Sequence, residues 1–160
     1  MERLGKLIGI IKYLLLVFLI VFVASLLSTG KTSKAKIDTV ASKVTKAADM
    51  EKLTLADNRM LKRFYGLNAN DYADVVLYAA GSNMEVEEIL IVKLKDVNQG
   101  EAVEAAIQAR LDSQISVFEG YGPEQCKMLE SSIIDVQGNY VLYVVNAKAK
   151  AVDKAFQKSL

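Results

Sequence analysis

The sequence contains no His and no Trp, and it has one Cys and one Pro among its 160 residues. The absence of His excludes a His-containing catalytic triad and a His-ligated metal site. The single Cys excludes an intramolecular disulfide and a Cys-based structural zinc site. We therefore predict a protein without a metal or other cofactor and without enzymatic activity.

An excess of charge of either sign is also missing, because 20 basic and 19 acidic residues give a formal net charge of +1. This balance excludes a nucleic-acid-binding protein that works by bulk positive charge. The charges are unevenly distributed, since residues 31–52 contain six Lys against three acidic residues, whereas residues 53–160 contain eleven basic and fifteen acidic residues. The basic segment is either attracted to anionic lipid headgroups or wall polymers, or it is an ordinary solvated helix face.

Apolar residues are concentrated near the N-terminus. No charged residue occurs from Tyr13 to Thr29, and a helix over residues 7–27 spans the roughly 30 Å hydrocarbon core of a bilayer. Basic residues precede this run, which is typical of a signal sequence or signal anchor. We predict an uncleaved single-pass anchor in the cell membrane, with a cleaved signal and a buried helix as alternatives. Long C-terminal domains translocate largely regardless of charge, so we place the domain outside the cytoplasm.

The remaining sequence shows the periodicities of both helices and strands. Helical spacing predicts a helix after Ile37, a second that starts at Thr54 or Asp57 and ends at Gly66, and two more over residues 99–121 and 148–158. Strand patterns and turn residues predict two β-hairpins, formed by residues 72–80 with 86–94 and 133–136 with 140–145.

We predict an α+β fold in which an N-terminal transmembrane helix precedes a two-layer domain. An antiparallel sheet of about four strands carries helices packed on it, in the order α-α-β-β-α-β-β-α. The predicted divisions are an anchor over residues 1–30, a basic juxtamembrane helical segment over 31–52 and a soluble domain over 53–160.

Glu85, Glu87 and Glu88 form the densest acidic cluster. A carboxylate-dependent enzyme or a divalent-metal site requires such side chains to converge on a cleft, whereas a charged strand entrance is the simpler interpretation. Arg110 lies at the edge of the apolar stripe of its helix and requires a partner if it is buried. Glu88 shares a strand face with Leu90, so we predict an Arg110–Glu88 pair, with solvent exposure of Arg110 as the alternative.

Residues 121–125 form a distinctive turn, with the sequence Tyr-Gly-Pro-Glu-Gln. Pro123 is suited to the first turn of a short helix, and Glu124 is favoured there by the helix dipole. We predict that Tyr121 docks on the sheet, and ligand binding by this loop is an alternative role. Arg110, Glu88, Tyr121, Pro123 and Glu124 are thus the candidate structural or interaction positions.

Several of these segments together resemble the bacterial family called domain of unknown function 4358. The resemblance covers roughly residues 37–146 and rests on MEVEEILIVK (84–93), Arg110, FEGYGPEQ (118–125) and GNYV (138–141). It implies a small extracytoplasmic protein of Gram-positive anaerobes, often a lipoprotein with a Cys after the apolar segment. This sequence lacks that Cys, so a transmembrane anchor would replace the lipid. The family supplies no established activity.

The sequence therefore favours a membrane-tethered, extracytoplasmic binding or protein-interaction module. Its predicted partners are the lipid bilayer, through the N-terminal helix, and an unidentified protein or cell-envelope component, with no nucleic acid. Two alternatives stay open. The first is a carboxylate-dependent enzyme or metal-binding protein that uses the Glu85/Glu87/Glu88 cluster, and the second is a cytoplasm-facing subunit of a membrane complex. The oligomeric state does not follow from the sequence.

Overall fold

The computed structural model describes residues 32–160 and, in the N-terminal segment, Lys12, Tyr13, Leu15, Val17 and Leu19. Thr32–Leu160 form one compact unit. The predicted transmembrane anchor lies almost entirely outside the described residues and stays a prediction. Within the described part of the chain, no helix is both long enough and apolar enough to cross a bilayer.

The described domain has an α+β fold built on a five-stranded antiparallel sheet. Its helices are α1 (Ile37–Ala47), α2 (Asn58–Tyr65), α3 (Gly100–Phe118), α4 (Pro123–Glu130) and α5 (Ala149–Gln157). Its strands are β1 (Leu53–Leu55), β2 (Asp74–Ala80), β3 (Glu88–Lys93), β4 (Ile133–Gln137) and β5 (Tyr140–Val145). The strand order is β1-β2-β3-β5-β4, and every neighbouring pair is antiparallel. Both predicted hairpins, β2–β3 and β4–β5, are present.

The prediction of about four strands was one strand short. Leu53–Leu55 forms β1, which pairs with β2 at one edge of the sheet. Three residues are too few to show the alternation that identifies a strand. Thr54 therefore lies in a strand, and α2 begins after Asp57, whose carboxylate accepts a hydrogen bond from the Met60 amide at 2.9 Å.

Helices cover both faces of the sheet, so the predicted two-layer arrangement was wrong and the domain has three layers. On one face, α2, α3 and α4 pack over Leu90, Val92 and Tyr143. On the other face, α1 and α5 pack over Ile89, Ile91 and Val144. The physical reason is that the central strands β3 and β5 are apolar on both sides, and each side requires cover from water.

The helix of the basic segment is part of this domain core. Ile37, Val40, Ala41 and Val44 of α1 are buried against the sheet and α5. They recur at the spacing of one helix face, while the Lys residues of α1 stay exposed. Packing therefore joins α1 to the C-terminal helix, which is about a hundred residues away in the sequence.

Candidate functional site

Glu88 and Arg110 come together between the sheet and α3. Glu88 is the first residue of β3 and is 2% exposed, and Arg110 projects from α3 toward it. Arg110 Nη2 donates to Glu88 Oε2 at 3.0 Å, which forms the predicted pair. Removing two charges from water is costly, so this pair requires further hydrogen bonds to hold it in place.

Tyr65 of α2 provides one of those hydrogen bonds, since its hydroxyl donates to Glu88 Oε1. Burial raises the pKa of Glu88 above its usual value, while Arg110 and the Tyr65 hydroxyl partly offset the shift. Burial, reinforced by the charge of Glu88, also raises the pKa of Tyr65 well above its usual value. Tyr65 consequently stays protonated and acts as the donor, and both oxygens of the Glu88 carboxyl have a partner.

Phe64, the neighbour of Tyr65 on α2, contacts the Arg110 guanidinium through its ring. The guanidinium carbon lies 4.0 Å from the centre of that ring, within the range of a cation–π interaction. Arg110 is therefore held by a carboxylate and by an aromatic face, although 19% of its side chain remains exposed. Such support limits the rotamers of the guanidinium and fixes the direction of its remaining donors.

The other two acidic residues of the predicted cluster bind the same lysine. Lys52 Nζ lies 2.6 Å from Glu85 Oε2 and 3.2 Å from Glu87 Oε1. The Lys52 hydrogen bond lowers the pKa of Glu85, and the two carboxylates raise the pKa of Lys52. Among the described residues, no group of three or more His, Cys, Asp or Glu side chains is arranged to hold a metal ion.

Glu85 and Glu87 border an open cleft of about 890 Å³ that lies between α2, the second half of α3 and the β2–β3 turn. Arg110 and Glu88 line it from within the domain, and Arg59 and Arg63 of α2 line it as exposed side chains. Edge strand β1 contributes Thr54 and Leu55. The volume falls in the usual range for small-molecule and cofactor sites, which is about 300–1,000 Å³.

Two cleft residues have a buried polar atom with no hydrogen-bond partner among the described residues. These atoms are Arg110 Nε and Gln114 Oε1. Gln114 is 9% exposed and follows Arg110 by one turn of α3. A buried donor or acceptor without a partner costs about 1–3 kcal/mol. This pair of atoms, one donor and one acceptor, marks an incompletely satisfied part of the cleft wall.

The turn around Tyr121 lies beside the cleft, and Tyr121 does not dock on the sheet. Its side chain is 58% exposed and its ring packs 5.5 Å from that of Phe118, a buried cleft residue. Gly122 comes so close to Phe118 that a Cβ there would lie 2.7 Å from Phe118 Cδ1. Pro123 begins α4 as predicted, and Glu124 is exposed in its first turn.

Sequence reasoning did not identify Tyr65, Phe64, Lys52 or Gln114 as part of this site. A usable signal existed for Tyr65, because it follows Leu61 by four residues and so shares the buried face of α2. No comparable signal existed for Lys52, which is 33 residues from Glu85. Its role depends on β1 returning the chain to the edge of the sheet.

Comparison with known proteins gives one result. The sequence model of a family described as "Domain of unknown function (DUF4358)" matches residues 46–146, which include most of the cleft and the complete Glu88–Arg110–Tyr65 network. No curated protein matches. No solved structure matches either.

Proposed function

Because the chain belongs to the DUF4358 family, whose description assigns no activity, we propose from the geometry that it is a binding module. In this proposal the module is non-catalytic, tethered to the cell membrane by residues 1–30 and extracytoplasmic, and its cleft binds a segment of extended peptide. The observation that carries the proposal is that a donor of Arg110 and an acceptor of Gln114 have no partner among the described residues, in a cleft that is also lined by the edge strand β1.

One residue of an extended peptide directs its own N–H donor and C=O acceptor to the same side of the strand, and these are the two kinds of group that Arg110 Nε and Gln114 Oε1 do not meet among the described residues. The C=O would accept from Arg110 Nε, and the N–H would donate to Gln114 Oε1, once the side chains that cover these two buried atoms move aside. Arg110 is already positioned by Glu88 and Phe64, so binding costs little additional side-chain entropy.

Strand β1 supports an extended conformation of the ligand. Among the described strands it has one neighbour, β2, and the Leu53 amide already donates to the Met50 carbonyl at 3.1 Å, so at this edge of the sheet a further strand would pair with the backbone around Leu55. Peptides commonly bind by adding a strand at such an edge, with pockets that accept alternate side chains. Leu55 and Val117 line the cleft with 69% and 56% of their surface exposed, and they offer apolar contacts to those side chains.

Existing ion pairs favour binding over carboxylate chemistry. Lys52 forms ion pairs with both Glu85 and Glu87, and Arg110 and Tyr65 occupy both oxygens of Glu88. A catalytic acid or base requires a carboxyl group that is free to contact the reacting atoms. The acidic cluster thus acts here as the scaffold that orients Lys52 and Arg110.

Peptide binding is tested with a random peptide library displayed on phage and selected on the full-length chain in lipid nanodiscs. We expect selected peptides to bind with micromolar dissociation constants by calorimetry, and Val117→Asp to weaken them at least about tenfold by placing a charge in the cleft. Val97→Asp is the matched control, because Val97 is exposed outside the cleft. Equal effects of the two variants, or no selected peptide, would refute the proposal.

Tethering and orientation are tested separately by fusing reporters to the C-terminus. Alkaline phosphatase is active only outside the cytoplasm, and green fluorescent protein fluoresces when it folds inside. We expect active phosphatase and weak fluorescence in the membrane fraction. Strong fluorescence with inactive phosphatase would instead support a cytoplasm-facing subunit of a membrane complex.

A further inference from the structure

Helices α1 and α5 form a layer with a strongly basic surface, which we call the basic layer (residues 34–46 and 148–158). The two helices pack against each other on one face of the sheet. The layer exposes eight lysines, and its acidic residues are Asp38 and Asp153; the lysines are Lys34, Lys36, Lys43, Lys46, Lys148, Lys150, Lys154 and Lys158. Helix α5 thus resembles the basic segment in its positive charge and also packs against the helix of that segment, α1.

On the opposite face, α3 and α4 are acidic, whereas α2 beside them exposes Arg59, Lys62 and Arg63. Residues 100–130, which contain α3 and α4, include two basic residues and six exposed acidic ones, namely Glu101, Glu104, Asp112, Glu119, Glu124 and Glu130. The sheet therefore separates the basic layer from a face on which the acidic helices α3 and α4, which we call the acidic layer, lie beside the basic helix α2. A domain polarised in this way orients in the field of a charged surface.

The lysines of the basic layer have no acidic partner in the described part of the domain. None of the eight forms an ion pair with a carboxylate of the described residues. The core beneath them consists of apolar side chains from the sheet, α1 and α5. Eight like charges on one surface repel each other, and a polyanionic surface outside the domain relieves that repulsion.

The start of the domain is tied firmly to the sheet beneath this layer. The Ser33 amide donates to Asn139 Oδ1 at 2.7 Å, and the Ala35 carbonyl accepts from Lys93 Nζ and the Tyr140 hydroxyl, both at 2.7 Å. If the anchor ends at residue 30, only residues 31 and 32 separate it from the first tied residue, so the two are at most about 10 Å apart along the chain. That distance is close to the screening length of physiological salt, within which charges on the domain and on the lipid still interact.

We propose that the basic layer docks the domain on a bilayer surface that contains anionic phospholipids. Its lysines contact the lipid phosphates, and the acidic layer and the cleft then face away from or along the membrane. The short distance to the membrane rests on the proposed anchor, whereas the choice of docking surface rests on the charges of α1 and α5. Other polyanions are outcomes of the test below.

Because the sequence contains no Trp, a single introduced Trp reports on its own position without background fluorescence from other Trp residues. Ala151→Trp places a single fluorophore on the exposed surface of α5, and Ala105→Trp places the matched control on the exposed surface of α3. Each full-length variant is reconstituted into vesicles with brominated lipid tails, either wholly zwitterionic or with about 30% phosphatidylglycerol as the anionic lipid. We expect quenching of the α5 fluorophore to rise about twofold or more in the anionic vesicles and quenching of the α3 fluorophore to stay unchanged.

A charge variant tests the cause of the quenching. Replacing Lys43, Lys46, Lys150 and Lys154 with Gln removes the anionic-lipid effect, while Glu101→Gln with Glu104→Gln on the acidic layer leaves it intact. Equal quenching of the α5 fluorophore in both kinds of vesicle would overturn the docking proposal, as would binding of soluble polyphosphate by the lysines without any lipid effect. Flotation with zwitterionic vesicles reports on the anchor alone, so failure of the anchor is distinguished from failure of docking.

Discussion

The two faces of the sheet differ in the kind of core that they support. On the face covered by α1 and α5, apolar side chains such as Ile89, Ile91 and Phe156 make up most of the core. On the face covered by α2, α3 and α4, the buried carboxylate of Glu88 and the partly buried Arg110 interrupt the apolar core. Strand alternation places Glu88 and Ile89, which are neighbours in β3, on opposite faces. The cleft lies where the charged pair interrupts the packing, and the mostly apolar face covered by α1 and α5 carries the basic layer instead.

Among the proposed variants, Arg110→Met is expected to lower the stability of the domain most, because it acts on the charged pair that distinguishes the two faces. It removes the partner of a buried carboxylate, and breaking such a pair typically lowers the free energy of unfolding by about 3–5 kcal/mol. Urea denaturation of the full-length chain, followed by circular dichroism, measures the loss. The double variant with Glu88→Gln recovers much of the stability because no charge is left buried without a partner. An unchanged unfolding midpoint in Arg110→Met would mean that the pair has no structural role.

Gly122→Ala tests how tightly the turn before α4 closes on the cleft. The new Cβ would lie 2.7 Å from Phe118 Cδ1, and overpacking of this kind costs about 1–3 kcal/mol. The midpoint of thermal unfolding measures the effect, with Gly81→Ala as the control because a Cβ there meets no atom within 4 Å. A loss of similar size in the control would show that general glycine effects, rather than contact with Phe118, are responsible.

Ile89→Val tests the packing on the face covered by α1 and α5, on the other side of the sheet from Glu88. Ile89 is completely buried, and removing one methylene typically costs about 0.5–1.5 kcal/mol. We expect peptide affinity at the cleft to be unchanged, because the side chain lies on the other side of the sheet. Urea denaturation and calorimetry with a selected peptide measure both properties. A weakened peptide affinity would show that the two faces are coupled through β3.

Asp153→Asn is expected to have the smallest effect and to depend on pH. Burial, together with hydrogen bonding and repulsion from Asp135 of β4, raises the pKa of Asp153 in α5 to about 6. The folded state therefore binds more protons than the unfolded state between about pH 4 and pH 6, and the stability of the native chain falls as the pH rises through that window.

The Asn variant lacks this titration, so it is more stable than the native chain at about pH 7.5 and nearly equal to it at about pH 4. Thermal unfolding at the two pH values measures the difference. Gln157 donates to both carboxylates, at 2.9 Å to Asp135 Oδ2 and 3.2 Å to Asp153 Oδ2. A variant that is no more stable than the native chain at the higher pH would show that this amide already compensates the repulsion.

Local patterns in the sequence were enough to predict the α+β class, both hairpins and most helix positions. Period-two and helical spacings are properties of short segments, and Gly66 and Pro123 mark helix boundaries through their own backbone preferences. The Glu88–Arg110 pair was also accessible, since a charged residue at the edge of an apolar helix face requires a partner from the facing strand.

Tertiary structure alone decided the third layer, edge strand β1, the network around Glu88 and the basic layer. Each depends on residues that are distant in sequence and meet only when the sheet forms, as Lys52 meets Glu85 and α1 meets α5. The sequence therefore determined which residues are apolar or charged along each element, because that is set by side-chain chemistry. The fold decided which of those faces become neighbours, because long-range packing depends on the burial of all the apolar faces together.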